Sequence, residues 1–153
     1  MQKNHRELIR DIFDYDKDIK KFCDIDYVRY EQNISQQILF KIKKCLKEYP
    51  SSYIYVEEIK KFYAVWLKAH NNNILYSFGV HPDFRKEKNL KLFWEYLENE
   101  HDDGFLCYLY NNNIRAIKWL KKNGMSEAGK IVERPDKVAI KLLLDKNKKS
   151  DIN

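Results

Sequence analysis

The sequence predicts one α/β domain in which helices cover both faces of a mixed central β-sheet of about seven strands. Segments rich in aromatic and β-branched residues alternate with segments whose apolar residues recur every three or four positions. No linker rich in Pro, Gly or Ser divides the 153 residues, of which 44% are hydrophobic, and this is sufficient for one core. We expect a single domain over residues 1–145 and a disordered, charged tail over 146–153.

The N-terminal third is predicted to form one strand followed by two helices. Residues 7–13 are expected to be the first strand, and Asp14 or Asp16 to cap a helix that ends near Cys23. A longer helix is predicted over residues 27–48, with Pro50 marking its end. Its apolar positions follow helical spacing: Ile34, Ile38, Ile42 and Cys45.

Three consecutive strands are predicted next, over residues 52–57, 61–68 and 74–80, because these segments are rich in Tyr, Val, Ile, Phe and Trp. Asn71–Asn73 indicates the turn between the second and third. Their tyrosines either line a substrate cleft or are ordinary sheet residues, and both readings stay open at this point. These residues are Tyr53, Tyr55, Tyr63 and Tyr76.

The second half is predicted to continue the alternation of helices and strands. A charged loop over 81–89 precedes a helix whose stripe is the clearest in the chain: Leu90, Phe93, Trp94 and Leu97. A strand over 104–110 follows, then a short helix opened by Asn111–Asn113 and stopped at Gly124. Two last strands are expected over 128–133 and 138–144, joined by a turn at Pro135 and Asp136. The predicted order is therefore β-α-α-β-β-β-α-β-α-β-β.

Composition excludes several classes of site. Lys and Arg number 29 against 23 Asp and Glu, a net charge of +6 that permits an anionic partner. The three cysteines form no C-x-x-C pair, so neither a zinc ribbon nor any other metal site is expected. The four glycines are too far apart in sequence to form a G-x-G-x-x-G phosphate cradle. The polar N-terminus and short apolar runs predict no signal peptide and no membrane span, and hence a place in the cytoplasm or in a particle assembled there.

Two motifs carry a family resemblance. Asn113 to Met125 follows the pattern N-x-x-A-I-x-x-[YL]-x-K-x-G-[FM], and Val80 to Arg85 resembles V-x-P-x-[YF]-R. Together with the element order, they make the chain resemble the GNAT superfamily of acyl-CoA-dependent N-acyltransferases. That resemblance implies that the strands over 74–80 and 104–110 splay apart and bind acetyl-CoA between them. The cofactor-binding residues that it implies are Phe78, Val80, Arg85, Lys86, Lys88, Asn89, Leu90 and Asn113.

The sequence departs from the family pattern at two points. The pyrophosphate loop, [QR]-x-x-G-x-[GA] in the family, retains Arg85 but has Lys88 and Leu90 at its two small positions. The Tyr that many members use to protonate the departing thiolate is replaced by Leu120. The candidate catalytic residues are His81, as a general base, and Tyr108, as an acid. Further candidates are Tyr96 and Tyr110 for the acid, and Glu57 and Glu58 for the base.

Three functions follow from these observations. The first is an N-acetyltransferase that transfers acetyl from acetyl-CoA to a primary amine on a small molecule or a protein. The second is a GNAT fold without catalysis that binds protein partners in an assembly, as GNAT-like virion proteins of tailed phages do. The third, nucleic-acid binding, ranks last because the lysines are dispersed along the chain.

Overall fold

A computed structural model describes residues 8–10, 12 and 34–146 of the chain. Besides the helical residues 8–10 and 12, the helices are α1 (Ile34–Glu48), α2 (Glu87–Glu100) and α3 (Ile114–Lys122), with a 3-10 turn at Pro82–Phe84. The strands are β1 (Tyr53–Glu57), β2 (Phe62–Ala69), β3 (Asn72–Val80), β4 (Gly104–Tyr110), β5 (Ser126–Arg134) and β6 (Lys137–Asp145).

The strands form one mixed sheet in the order β1-β2-β3-β4-β6-β5. Every neighbouring pair is antiparallel except β3 and β4, which run parallel at the centre. An irregularity in the β2–β3 ladder leaves Tyr76 without an opposite residue, because Ser77 pairs with Val65 and Leu75 with Trp66. The predicted α/β class with a mixed sheet is confirmed, with six strands in the part of the chain that the structure describes.

Two hydrophobic clusters cover the two faces of the sheet, as predicted. The larger packs α2 and Leu120 of α3 against inward-facing residues of β2, β3, β4 and β6, including Trp66 and Leu142. The smaller packs Ile12 and Ile42 against Tyr63 and Val65 on the other face of β2. On the α2 side the sheet is therefore covered from β2 to β6, and the smaller cluster is centred on β2.

The predicted strand over residues 7–13 is wrong, because residues 8–10 and 12 are helical. Leu8, Ile9 and Ile12 are all buried in the same cluster. Positions i, i+1 and i+4 share one face of a helix, whereas a strand would send Leu8 and Ile9 to opposite faces. The spacing of the apolar residues thus matches a helix, and this is why the sheet has one strand fewer than predicted.

The other predicted elements agree with the structure within a few residues. The exception is the loop over 81–89, which is shorter than predicted because α2 already begins at Glu87. In the long N-terminal helix, residues 34–48 are helical as predicted. The predicted helix near Asp16–Cys23, residues 27–33 and the tail from residue 147 lie outside the described residues.

Candidate functional site

The two parallel central strands separate soon after they meet. Their register comprises only two pairs, Ile74 with Leu106 and Leu75 with Cys107, although both strands continue for several residues. Beyond these pairs β3 remains paired with β2 as far as Val80, and β4 remains paired with β6 as far as Tyr110. The separation therefore opens at the carboxyl ends of β3 and β4, and we call it the splay.

Backbone groups of β3 point into the splay. The His81 N–H donates to the Lys61 C=O at 2.8 Å, and residues of an antiparallel ladder alternate between bonded and non-bonded pairs. Val80, opposite Phe62, is thus a non-bonded position, as is Phe78 two residues earlier. The N–H and C=O of both residues face away from β2 and toward β4.

The backbone of β4 faces the splay in the same way. The Asn111 N–H donates to the Val138 C=O at 2.8 Å, so Tyr110 and Tyr108 are the non-bonded positions of the β4–β6 ladder. The Tyr110 C=O accepts the Asn113 N–H at 2.9 Å. Polar backbone groups away from water need partners, and a ligand with amide groups would provide them between these two strands.

The loop after β3 is held by His81 and Arg85. The Asp83 N–H donates to His81 Nδ1 at 3.2 Å, and Arg85 Nε donates to the Val80 C=O at 2.7 Å. The Arg85 side chain thus folds back onto the end of β3. Because Nδ1 is an acceptor here, a neutral His81 carries its proton on Nε2. This tautomer offers a hydrogen-bond donor at Nε2 and does not fit a general base there.

The amino terminus of α2 carries the remaining predicted loop residues. The first intrahelical bond runs from the Leu90 N–H to the Lys86 C=O at 2.9 Å, so the N–H groups of Glu87, Lys88 and Asn89 have no acceptor within the helix. Lys86 is the N-cap and its side chain makes no cap hydrogen bond. Leu90 packs against the larger core. Its side chain is therefore directed into the protein.

Asn113 occupies the N-cap position of α3, as predicted, but its side chain makes no cap hydrogen bond. Its backbone connects β4 to α3 instead, through Tyr110 and through its own C=O, which accepts the Ile117 N–H at 3.1 Å. Leu120, at the position where the family pattern often has Tyr, is completely buried in the core.

The tyrosines proposed as acids are spread over the sheet. Tyr96 is bonded to β2: its hydroxyl accepts Trp66 Nε1 at 2.9 Å and donates to Glu100, and burial raises its pKa. Tyr108 is exposed on the face away from α2, since Phe105, Cys107 and Leu109 take the α2 face.

The carboxylates proposed as bases lie at the end of β1, which β2 and β3 separate from β4. Glu57 ends β1, in register with Phe62 and Val80. One of its carboxylate oxygens accepts the Ile59 N–H at 2.9 Å, so it stabilises the turn. Glu58 is exposed in that turn.

The tyrosines of β1 to β3 form no common cleft. Tyr63 is fully buried and its hydroxyl bonds with Ser77 Oγ at 2.8 Å. Tyr55 stacks on Tyr96 with ring centroids 4.1 Å apart, and Tyr53 lies within 3.4 Å of His101 Nε2. Tyr53 and Tyr55 therefore lie on the α2 side of the sheet, and Tyr63 lies in the smaller core cluster.

A cluster that the sequence analysis missed lies at the end of β4. The Tyr110 hydroxyl donates to Glu133 at 2.8 Å. Lys137 Nζ lies 3.4 Å from the same carboxylate and 4.6 Å from the centroid of the Tyr110 ring. Burial and the Glu133 hydrogen bond raise the Tyr110 pKa, and the Tyr110 hydrogen bond lowers the Glu133 pKa. The three residues are distant in sequence, and only the β4-β6-β5 order brings them together.

The described residues contain neither a membrane-spanning helix nor a metal-binding cluster. No helix among them is long and apolar enough to cross a membrane. No group of three or more His, Cys, Asp or Glu side chains in this part of the chain is arranged to hold a metal ion.

The fold resembles those of solved acetyltransferases. A protein of Bacillus anthracis designated a streptothricin acetyltransferase, solved with acetyl coenzyme A, has a TM-score of 0.50 and 20% identity over 65% of this chain and 67% of its own. The spermidine/spermine N-acetyltransferase SpeG of Vibrio cholerae gives 0.53, with 13% identity over 77% of each chain. The ribosomal-protein-S18-alanine N-acetyltransferase of Escherichia coli gives 0.52, with 14% identity over 93% and 85%.

Comparisons at the level of sequence are negative. No family model and no curated protein matches the sequence. The structural likeness, at identities of 20% and below, defines the architecture, and it agrees with the splayed parallel strands described above. The chain therefore has the GNAT acetyltransferase fold.

Proposed function

We propose that the protein is an N-acetyltransferase that transfers an acetyl group from acetyl-CoA to a primary amine. The observation that carries this proposal is the splay, where the backbones of Phe78, Val80 and Tyr110 face a gap between parallel strands. An extended ligand with amide groups is the natural partner for such strand edges. The fold neighbour solved with acetyl coenzyme A has the same architecture.

The amino terminus of α2 is the proposed place for the phosphates. Its N–H groups at residues 87–89 lack helical acceptors, and the helix dipole favours an anion there. Lys86 and Lys88 are exposed at this end and add positive charge. Leu90 stands where the family pattern has a small residue. Because its side chain packs into the core, it does not cover the free N–H groups. These features fit a pyrophosphate despite the missing glycines.

Two groups of the chain are proposed to assist the chemistry. Bound acetyl-CoA would supply an activated acyl thioester. The Val80 N–H, directed into the splay, is the donor proposed to stabilise negative charge on an oxygen there. His81 follows Val80 directly, and its Nε2–H is proposed to donate a hydrogen bond to the sulfur of the leaving thiolate, which takes up the proton that the amine loses as the N–C bond forms and the C–S bond breaks. The amine is then required to arrive neutral.

Binding of acetyl-CoA to the full-length chain tests the proposal. We expect a micromolar Kd by calorimetry, weakened at least about tenfold in Lys88→Glu because this reverses a charge beside the phosphates. Lys91→Glu makes the same charge change one turn further along α2, away from the free N–H groups, and is expected to change the Kd less than threefold. No binding at millimolar acetyl-CoA would refute the proposal.

A fold without catalysis is the second candidate, and the burial of Leu120 favours it. This position of α3 points into the core, so α3 offers no phenol there to a leaving thiolate. On this reading the protein is a component of an assembly, for example of a phage virion. Failure to bind acetyl-CoA, together with a stable fold, would support it over the enzyme.

A further inference from the structure

The Tyr110 cluster holds a primary ammonium group in a geometry that suits a ligand. Lys137 Nζ lies 4.6 Å from the Tyr110 ring centroid and 3.4 Å from a Glu133 carboxylate oxygen. An aromatic face and a carboxylate together are the two elements that recognise alkylammonium ions. The Tyr110 hydroxyl donates to the other Glu133 oxygen at 2.8 Å and so holds the carboxylate beside its ring.

The cluster adjoins the splay. Tyr110 is the last residue of β4, and its backbone faces the gap toward β3. Its side chain lies on the sheet face away from α2, since Cys107 and Leu109 take the α2 face. Lys137 precedes Ala139, the residue opposite Tyr110, by two positions and shares this face. An ammonium bound here thus lies over β6, the strand next to β4 on the side away from the splay, on the sheet face opposite α2.

A nitrogen bound in this cluster stays protonated. Burial lowers the Lys137 pKa, but the Glu133 carboxylate acts against it and the net shift is upward, so the cluster favours the ammonium form. A protonated nitrogen has no lone pair with which to attack an acyl group. A ligand that reacted in the splay while anchored here would therefore need a second, neutral amine.

We propose that Tyr110 and Glu133 form an ammonium subsite for aliphatic amines that carry two nitrogens, and that Lys137 occupies this subsite when no such amine is bound. The assignment of the ligand as a substrate rests on the proposed acetyltransferase function. Binding of the ammonium does not rest on that function, because the Tyr110 ring and the Glu133 carboxylate that contact it both belong to this chain. Lys137 then acts as a tethered competitor, and its removal makes the subsite available.

Titration of the full-length chain with 1,4-diaminobutane, without acetyl-CoA, tests the subsite. In this probe four carbons join the two ammonium groups, the same number of carbons that carries the ammonium group in the Lys137 side chain. We expect Lys137→Met to bind it about tenfold more tightly than the natural chain does, which is 1.4 kcal/mol. Adding Glu133→Gln to Lys137→Met should remove this gain. Butylamine, with a single nitrogen, should also occupy the opened subsite of Lys137→Met but, once acetyl-CoA is present, should be acetylated far less efficiently than the diamine.

Lys130→Met is the matched control. It breaks the Lys130–Glu127 pair, 3.7 Å apart in the same β5–β6 hairpin, where no aromatic ring is involved. We expect it to leave the diamine affinity unchanged. If Lys137→Met lowers the melting temperature and gains no affinity, Lys137 is only a brace of the hairpin and the proposal is wrong.

A second measurement covers the case in which Lys137→Met fails to fold. Millimolar 1,4-diaminobutane added to the natural chain should shift the NMR signals of the Tyr110 ring, and an unchanged ring would also overturn the subsite. If the diamine binds but no acetyl transfer occurs, the subsite is supported and the proposed enzyme activity is refuted. If amines are acetylated but Lys137→Met and Glu133→Gln change nothing, the enzyme activity is supported and the subsite is refuted.

Discussion

At the scale of single residues, Gly104 is the position where the backbone tolerates no side chain. It begins β4 with a φ of +97°, and a Cβ built there would lie 1.8 Å from the Leu144 C=O. Both the left-handed conformation and the close approach of β6 require glycine. The cross-strand contact depends on the register of Gly104 with Asp145, and the sequence alone does not give that register.

Gly104→Ala should lower the free energy of unfolding by at least about 3 kcal/mol, because it adds a backbone clash to an unfavourable φ. The measurement is urea denaturation followed by circular dichroism. Gly124→Ala is the control, since Gly124 has a φ of +115° but nothing within 4 Å of the added Cβ. It should lose only about 1 kcal/mol. Equal losses for the two variants would contradict the packing of β4 on β6.

Gly79 has a different constraint, which comes from a neighbouring side chain. A Cβ there would lie 2.8 Å from Ile12 Cγ2 and 3.1 Å from Tyr63 Cε1. Gly79→Ala should therefore cost about 1–3 kcal/mol through overpacking. Combining it with Ile12→Ala should recover part of this loss in a double-mutant cycle. If the losses of the two single variants simply add in the double variant, Ile12 does not contact Gly79.

At the scale of elements, α2 is fixed to the sheet by a polar bond as well as by apolar contacts. Trp66 of β2 is buried and donates through Nε1 to the Tyr96 hydroxyl at 2.9 Å. That hydroxyl donates in turn to Glu100 at the end of the helix. The Phe93 and Trp94 stripe was predictable from its spacing, whereas this bond needs the relative placement of α2 and β2.

Tyr96→Phe should cost about 1–3 kcal/mol, because it leaves the buried Trp66 donor without its acceptor. Tyr55→Phe is the matched control: its ring also stacks in this cluster, and no hydrogen bond of its hydroxyl is found within the described ranges. We expect it to cost less than about 0.5 kcal/mol. Thermal unfolding distinguishes the two, and a Tyr96→Phe variant as stable as Tyr55→Phe would contradict the bond.

Sequence patterns predicted most elements because each depends on local spacing. The stripe of α2, the helix stop at Gly124 and the strands from 52 to 80 are of this kind. The prediction for residues 7–13 was wrong because a short apolar run fits either a strand or a helix. The choice depends on its burial against Ile42 of α1 and the sheet. The Tyr110–Glu133–Lys137 cluster was not predictable, since its contacts follow from the strand order β4-β6-β5.

At the scale of the whole molecule, several tyrosines make stability depend on alkaline pH. Burial, followed by the Glu100 charge, raises the Tyr53 pKa to about 12, and burial also raises those of Tyr63 and Tyr96. These groups ionise in the unfolded chain near pH 10 but resist ionisation in the folded chain.

Their contribution to stability is therefore complete below pH 10 and is lost as the pH rises from 10 toward 12. We expect the urea midpoint to start falling near pH 9, where the Cys107 thiol ionises in the unfolded chain while burial raises its pKa in the folded chain to about 12, and to fall more steeply above pH 10. Tyr63→Phe should make that fall shallower, whatever its effect at neutral pH. A midpoint independent of pH up to 11.5 would contradict the burial of these hydroxyls.

Acetyl-CoA is proposed to bind in the splay between β3 and β4. The most direct measurement is hydrogen exchange of the backbone amides, with and without saturating acetyl-CoA. We expect slower exchange at Phe78, Val80 and Tyr110, whose N–H groups face the splay, and unchanged exchange along the exposed strand β5. Unchanged exchange at these three amides, or protection confined to β5, would contradict it.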